Sequence, residues 1–169
     1  DDGDIGQAVR AFPALAARNM TATFFVTTSW VGTPSYASWD QLREMRSAGM
    51  SIQSHTHTHP FLSELDERHL RDELRRSREM LDEQLGQRTN MLAFPGGDAP
   101  RTSLRHVLLD EGYEAVATSQ WGRNRSTRQP PPRYVNRCTV RGSPDDATFA
   151  ALVAGDLWLT LRKQARERV

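Results

Sequence analysis

Leu70, Leu74, Leu81 and Leu85 recur at spacings that gather them on one side of a 3.6-residue helix, while the Arg, Asp and Glu residues among them form a solvated face. A helix over residues 66–85 is therefore predicted, stopped by Gly86. A second helix is predicted over 5–18, with Val9, Phe12 and Leu15 on its inner side despite Pro13. A third spans 39–48, opened by Ser38 as N-cap and closed by Gly49. Between them the pattern changes. Residues 21–27 (Thr-Ala-Thr-Phe-Phe-Val-Thr) are β-branched and aromatic, as a buried strand requires, and 50–53, 91–94, 115–118 and 134–140 are further strands. Helices are predicted near 103–111 and over 143–168, the latter broken at Gly155. Residues 29–38, with Gly32 and Pro34, and the Pro- and Arg-rich stretch running through Pro132 read as loops.

Strands alternating with helices along the whole chain predict an α/β domain with a largely parallel sheet, either open or closed into a barrel. In such folds active sites belong at the C-terminal ends of strands. Length and composition narrow the picture further. At 169 residues and 37% hydrophobic content, residues 1–169 are expected to form one domain with its own core. A net charge of +1 with mixed signs argues against nucleic-acid binding. Lys163 is the only lysine among 22 basic residues, a bias from which no function follows. Cys138 is alone, which excludes an internal disulfide. No apolar run approaches the roughly 20 residues that span a bilayer. No signal peptide opens the chain either; it starts on Asp1-Asp2-Gly3, and a segment upstream of it is expected.

Three short stretches carry chemistry. Ser54-His55-Thr56-His57-Thr58-His59-Pro60 follows a predicted strand and offers three imidazoles in five residues. Histidines four apart can converge on one cation, and neutral imidazole suits zinc and its neighbours. In an extended run His57 would share their face, and in a turn it need not. Asp1-Asp2-Gly3-Asp4 supplies adjacent carboxylates, so that one can bind an ion while the other stays free as a base. One carboxylate with two histidines leaves positions open for water and substrate, which a catalytic site needs. Finally, Leu92-Ala93-Phe94-Pro95-Gly96-Gly97 ends a strand in a turn whose backbone N–H groups lack bulky neighbours and can serve an oxyanion.

The order Asp-Asp-Gly, then Ser-His-Thr-x-x-x-His-Pro, then Phe-Pro-x-Gly after a strand resembles the polysaccharide deacetylase family (NodB homology, carbohydrate esterase family 4) over nearly the whole chain. That resemblance implies a distorted (β/α) barrel, with its first strand expected ahead of Asp1. It also implies that Asp1 is the catalytic base, that Asp2, His55 and His59 hold a divalent metal, and that His57 is not a ligand. Pro95, Gly96 and Gly97 would border substrate and oxyanion. Zinc is the expected metal, though cobalt, nickel or iron would accept the same donors. Where the family carries an arginine two residues before the motif's proline, this chain has Ala93, and Arg137 is the candidate to orient the base in its place; the alternative is an ordinary surface arginine. No histidine follows His106, so no general acid is assigned. The expected function is hydrolysis of N-acetyl groups on a polysaccharide or oligosaccharide that contains N-acetylglucosamine, in the cell envelope or outside it. The alternatives are a non-catalytic glycan-binding domain on the same fold and an amide hydrolase acting on another substrate.

Overall fold

The computed structural model describes residues 1–122, 124, 131–140 and 145–154. Five short strands, β1 (Thr23–Val26), β2 (Ser51–Ser54), β3 (Met91–Ala93), β4 (Ala115–Ala117) and β5 (Arg133–Val135), pair in parallel and lie side by side in chain order. Parallel neighbours require crossovers, and an order that never reverses winds the chain one way, as in a β/α barrel rather than a doubly wound sheet. Four helices follow strands or precede them: α1 (Phe12–Ala16), α2 (Trp39–Ser47), α3 (Glu67–Leu85) and α4 (His106–Asp110); α5 (Asp146–Val153) comes after β5. Among the described residues, no helix is long and apolar enough to cross a membrane.

Local chemistry sets the helix ends. Ser38 accepts from the Gln41 amide at 3.3 Å while Gln41 Oε1 accepts from the Ser38 amide at 2.8 Å, a reciprocal capping box that starts α2. Asp66 does the same service for α3 by accepting from the His69 amide at 2.9 Å. On the outer face of the sheet, Phe24, Val26 and Ile52 pack with Leu42 and Met45 of α2 and with Leu81 and Leu85 of α3. Further along, Leu92 and Val116 meet Leu70 and Leu74 of α3, Val107 and Leu108 of α4, and Tyr113. Full burial of each such leucine is worth about 1.5–3 kcal/mol, so α3 pins both halves of the sheet. The inner face is different. Phe25, Ala93 and Ala117 form a small cluster there, and Gln53 accepts from the Met91 amide at 2.9 Å. Small residues on that side leave the sheet room to curve.

The expected elements recur with four changes. Val9 is 52% exposed, and Ala8 takes its place beside Phe12 and Leu15 against the core. Steps of three residues drift by about 60° each on a 3.6-residue helix, so Val9 lies far around from Leu15 while Ala8 nearly eclipses it. A π-helical turn, Gln7–Ala11, precedes α1. The strand expected over 134–140 ends at Val135, because Asn136 exchanges its backbone bonds with the Asn124 side chain at 2.8 and 2.9 Å. The helix expected over 103–111 divides into a 3-10 turn, Thr102–Leu104, and α4. Of the helix expected over 143–168, Asp146–Val153 is helical; the rest, with the break at Gly155, lies outside the described residues.

Candidate metal centre

The ends of all five strands open on one rim, and the chemical residues collect there. His55 follows β2 directly, Phe94 to Gly97 follow β3, Thr118 follows β4, and Arg137 stands two residues beyond β5. The opening acidic turn is fastened to the same rim: the Thr27 amide donates to Asp2 O at 3.2 Å, and the Ala37 amide to Gly3 O at 2.9 Å. Gly3 makes that contact possible, because it adopts φ +86° and a Cβ there would lie 3.1 Å from Val26 Cγ1.

Asp2 Oδ1 lies 3.3 Å from His55 Nε2 and 3.3 Å from His59 Nε2, and the three donor atoms all fall within 4.8 Å of one another. Bonds of about 2.0–2.2 Å at tetrahedral angles would put ligand atoms roughly 3.3–3.6 Å apart, so the spacing suits a small divalent cation. His55 is 2% exposed, and its Nδ1 donates to Ala93 O at 2.8 Å. That bond leaves the neutral ring with a lone pair on Nε2. Asp2 Oδ1 is itself buried without a hydrogen-bond partner. Three lone-pair donors thus face one point, an arrangement that a cation would satisfy. With a proton there, the hydrogen bond from the His55 ring holds the Asp2 carboxyl below the usual carboxylate range against the opposing effect of burial, with both ring charges adding to it. Burial first, and the His55 charge next, push His59 below the ordinary imidazole range, which favours the neutral, ligating form.

The surrounding backbone is held in unusual conformations. Asp2 (φ 76°), Thr56 (φ 69°) and His59 (φ 65°) all occupy the left-handed region, which non-glycine residues rarely adopt. Several groups over-determine the histidine loop. Glu73 of α3 accepts from the His57 and Thr58 amides at 3.0 and 2.8 Å and from the Thr58 hydroxyl at 2.7 Å. Ser54 Oγ meets Ser77 Oγ at 2.8 Å and accepts from the Thr56 amide at 3.1 Å. Trp30 stacks on His59 with ring centroids 5.0 Å apart. His57 stands outside the trio, its Nδ1 2.9 Å from Thr28 Oγ1.

Asp1 is engaged separately. Arg137 donates to its two carboxylate oxygens at 2.6 and 2.8 Å, a bidentate pair. The guanidinium also donates from Nε to Thr118 O at 3.1 Å and lies 5.3 Å from the centroid of the Phe25 ring. Burial lowers its pKa, yet an arginine stays charged at any physiological pH. A side chain just beyond β5 therefore reaches an aromatic ring of β1, drawing the two edges of the sheet toward each other across the rim. In the turn after β3, the Gly97 and Asp98 amides close on Phe94 O and Pro95 O, both at 2.9 Å, and the exposed Gly96 amide takes no part in those bonds.

Sequence reasoning had not singled out Glu73 or Ser77. Ser77 did carry a signal: it is a polar residue on the apolar stripe of α3, and buried polar groups need partners. Glu73 carried none, standing among other charges beside that stripe.

Residues 1–116 match the model of the polysaccharide deacetylase family. YxkH of Bacillus subtilis strain 168, whose name carries the same family description, is 29% identical over 122 residues, covering 72% of this chain and 43% of that protein. The deacetylase PplD of Streptococcus pyogenes, solved in complex with acetate, is 30% identical with a TM-score of 0.70 over 72% of this chain and 54% of its own. IcaB from Ammonifex degensii is 27% identical with a TM-score of 0.75, over 92% and 70% of the two chains. The chain thus spans less than half of YxkH and about half of PplD.

Proposed function

Because the chain belongs to the polysaccharide deacetylase family, we propose that it is a metal-dependent hydrolase that removes N-acetyl groups from a glycan containing N-acetylglucosamine. The single observation behind this assignment is the division of labour between neighbouring acids: Asp2 faces two histidines, while Asp1 is held apart by Arg137. Asp2, His55 and His59 would hold a divalent cation, with zinc our assignment and cobalt, nickel or iron compatible with the same donors, which would supply Lewis-acid chemistry toward the acetyl carbonyl and water. Asp1 takes the proton as water adds to that carbonyl, and the Arg137 fork keeps its carboxylate aimed. The Gly96 amide, at the turn formed with Pro95 and Gly97, donates to the developing oxyanion. Collapse breaks the C–N bond, the sugar nitrogen takes up a proton from solvent, acetate leaves, and Asp1 gives the proton it accepted back to solvent. A glycan substrate goes with a site of action in the cell envelope or outside the cell.

Acetate release from poly-N-acetylglucosamine, chitin oligomers and peptidoglycan, with and without a chelator, tests this function. We expect release from one of the first two, loss on chelation and recovery on adding zinc. Asp1→Asn should keep the metal and lose about 10²- to 10⁴-fold in rate, the usual worth of a general base. A metal-loaded protein that binds these glycans but releases no acetate would instead be a glycan-binding domain. Release from peptidoglycan alone would keep the chemistry and narrow the glycan to cell-wall strands, and release from none of the three would move the assignment to another amide substrate.

A further inference from the structure

The histidine loop continues past its last imidazole into an aromatic residue with an unusual seat. Phe61 follows His59 by two positions, and 56% of its surface is exposed. A lone exposed phenylalanine is ordinary on a protein surface. This ring, however, is held in place. A Cβ on Gly96 would lie 3.0 Å from Phe61 Cε1, and Gly96 adopts φ +60°, so the turn after β3 admits no side chain where the ring rests. The next residue, Leu62, is fully buried and anchors the backbone. Two hydrogen bonds then tie the loop to the same turn: the Ser63 amide donates to Asp98 Oδ2 at 2.7 Å, and Arg101 Nε donates to Ser63 O at 2.9 Å. The result is an exposed apolar ring two residues beyond His59, seated against the turn at Gly96 on a backbone that is held at Leu62 and Ser63.

We propose that Phe61 is a substrate-binding residue whose outer ring face packs against a pyranose ring of the glycan. This inference rests on the deacetylase function proposed above. A pyranose in its chair form offers a face of C–H groups while its hydroxyls stay directed to water, which suits a ring with one apolar face free and no polar group of its own. Packing against a ring face rather than hydrogen bonding to particular hydroxyls would hold a sugar unit in place while accepting any repeat of a polymer. A small acetyl ester has no sugar to offer and would gain nothing from Phe61.

The test compares the zinc-loaded full chain with its Phe61→Ala and Phe61→Tyr variants. Three quantities are measured: kcat/KM for a short N-acetylglucosamine oligomer, kcat/KM for a small aryl acetate ester, and oligomer binding by calorimetry. For Phe61→Ala we expect about a 5- to 10-fold loss on the oligomer, carried by KM and matched in binding, and less than a twofold change on the ester. Phe61→Tyr should behave as wild type. Equal losses on both substrates, or no loss on the oligomer, would overturn the proposal. If the wild type releases acetate from neither substrate, the deacetylase function fails on its own and calorimetry decides the fate of Phe61. Oligomer binding that weakens in Phe61→Ala would sustain the platform, and unchanged or absent binding would overturn it.

Discussion

Replacing Arg137 with alanine removes both hydrogen bonds to Asp1, at 2.6 and 2.8 Å, the bond to Thr118 O at 3.1 Å, and the guanidinium 5.3 Å from the Phe25 ring centroid. The thermodynamic loss should be modest, because Arg137 and Asp1 keep 30% and 32% of their side-chain surfaces exposed and solvent screens the pair. A pair so exposed is worth about 0–1 kcal/mol, and the contact with Phe25 about 0.5–1 kcal/mol. Together these predict a loss of about 0.5–2 kcal/mol, a fall in Tm of a few degrees for a chain of this length. The kinetic loss should be larger. A carboxylate free to rotate forfeits part of the roughly 10²- to 10⁴-fold that a positioned base supplies, so kcat should fall about 10- to 100-fold with KM little changed. Arg137→Lys keeps the charge but not the planar fork and should fall between wild type and alanine. Arg137 touches none of the three candidate ligands, so metal content by elemental analysis should not change. Wild-type kcat in a folded, metal-loaded Arg137→Ala protein would refute the role given to this residue.

His55→Ala and His59→Ala should each abolish metal binding by elemental analysis, while His57→Ala should retain the metal; the reverse pattern would reassign the ligands. Glu73→Ala, which frees the amides of His57 and Thr58, should weaken metal affinity about 10- to 100-fold in chelator competition, as loss of supporting contacts around metal ligands does, and unchanged affinity would show that the loop holds its shape without Glu73. Ser38→Ala should cost about 0.5–2 kcal/mol in denaturant unfolding through loss of the α2 cap and leave metal content unaltered; an unmoved midpoint would show that the capping box adds no net stability.

The alternation of elements, the face of α3, the capping residues Ser38 and Gly86, and the three chemical stretches were all legible in the sequence. Each depends on contacts only a few residues apart, where helical or extended periodicity already dictates which side chains share a face. The spacing of the histidines left His57 open, and the family resemblance implied His55 and His59 as the ligands, while the adjacent carboxylates offered a ligand beside a base. Arg137 was already a candidate to orient Asp1, but its grip on both carboxylate oxygens and its place over Phe25 required β5 to curve back toward β1 across the rim, a closure in space that no spacing along the chain encodes. Glu73 caps the histidine loop from a helix turn that looks like any solvated charge until α3 is laid on the sheet. Ser77 meets Ser54 only once that helix and β2 are in register, and Phe61 acquires its seat only because the turn after β3 presents a glycine to it. In each case the deciding contact joins residues far apart in the chain, and their meeting depends on how the packed core orients whole elements rather than on any local preference.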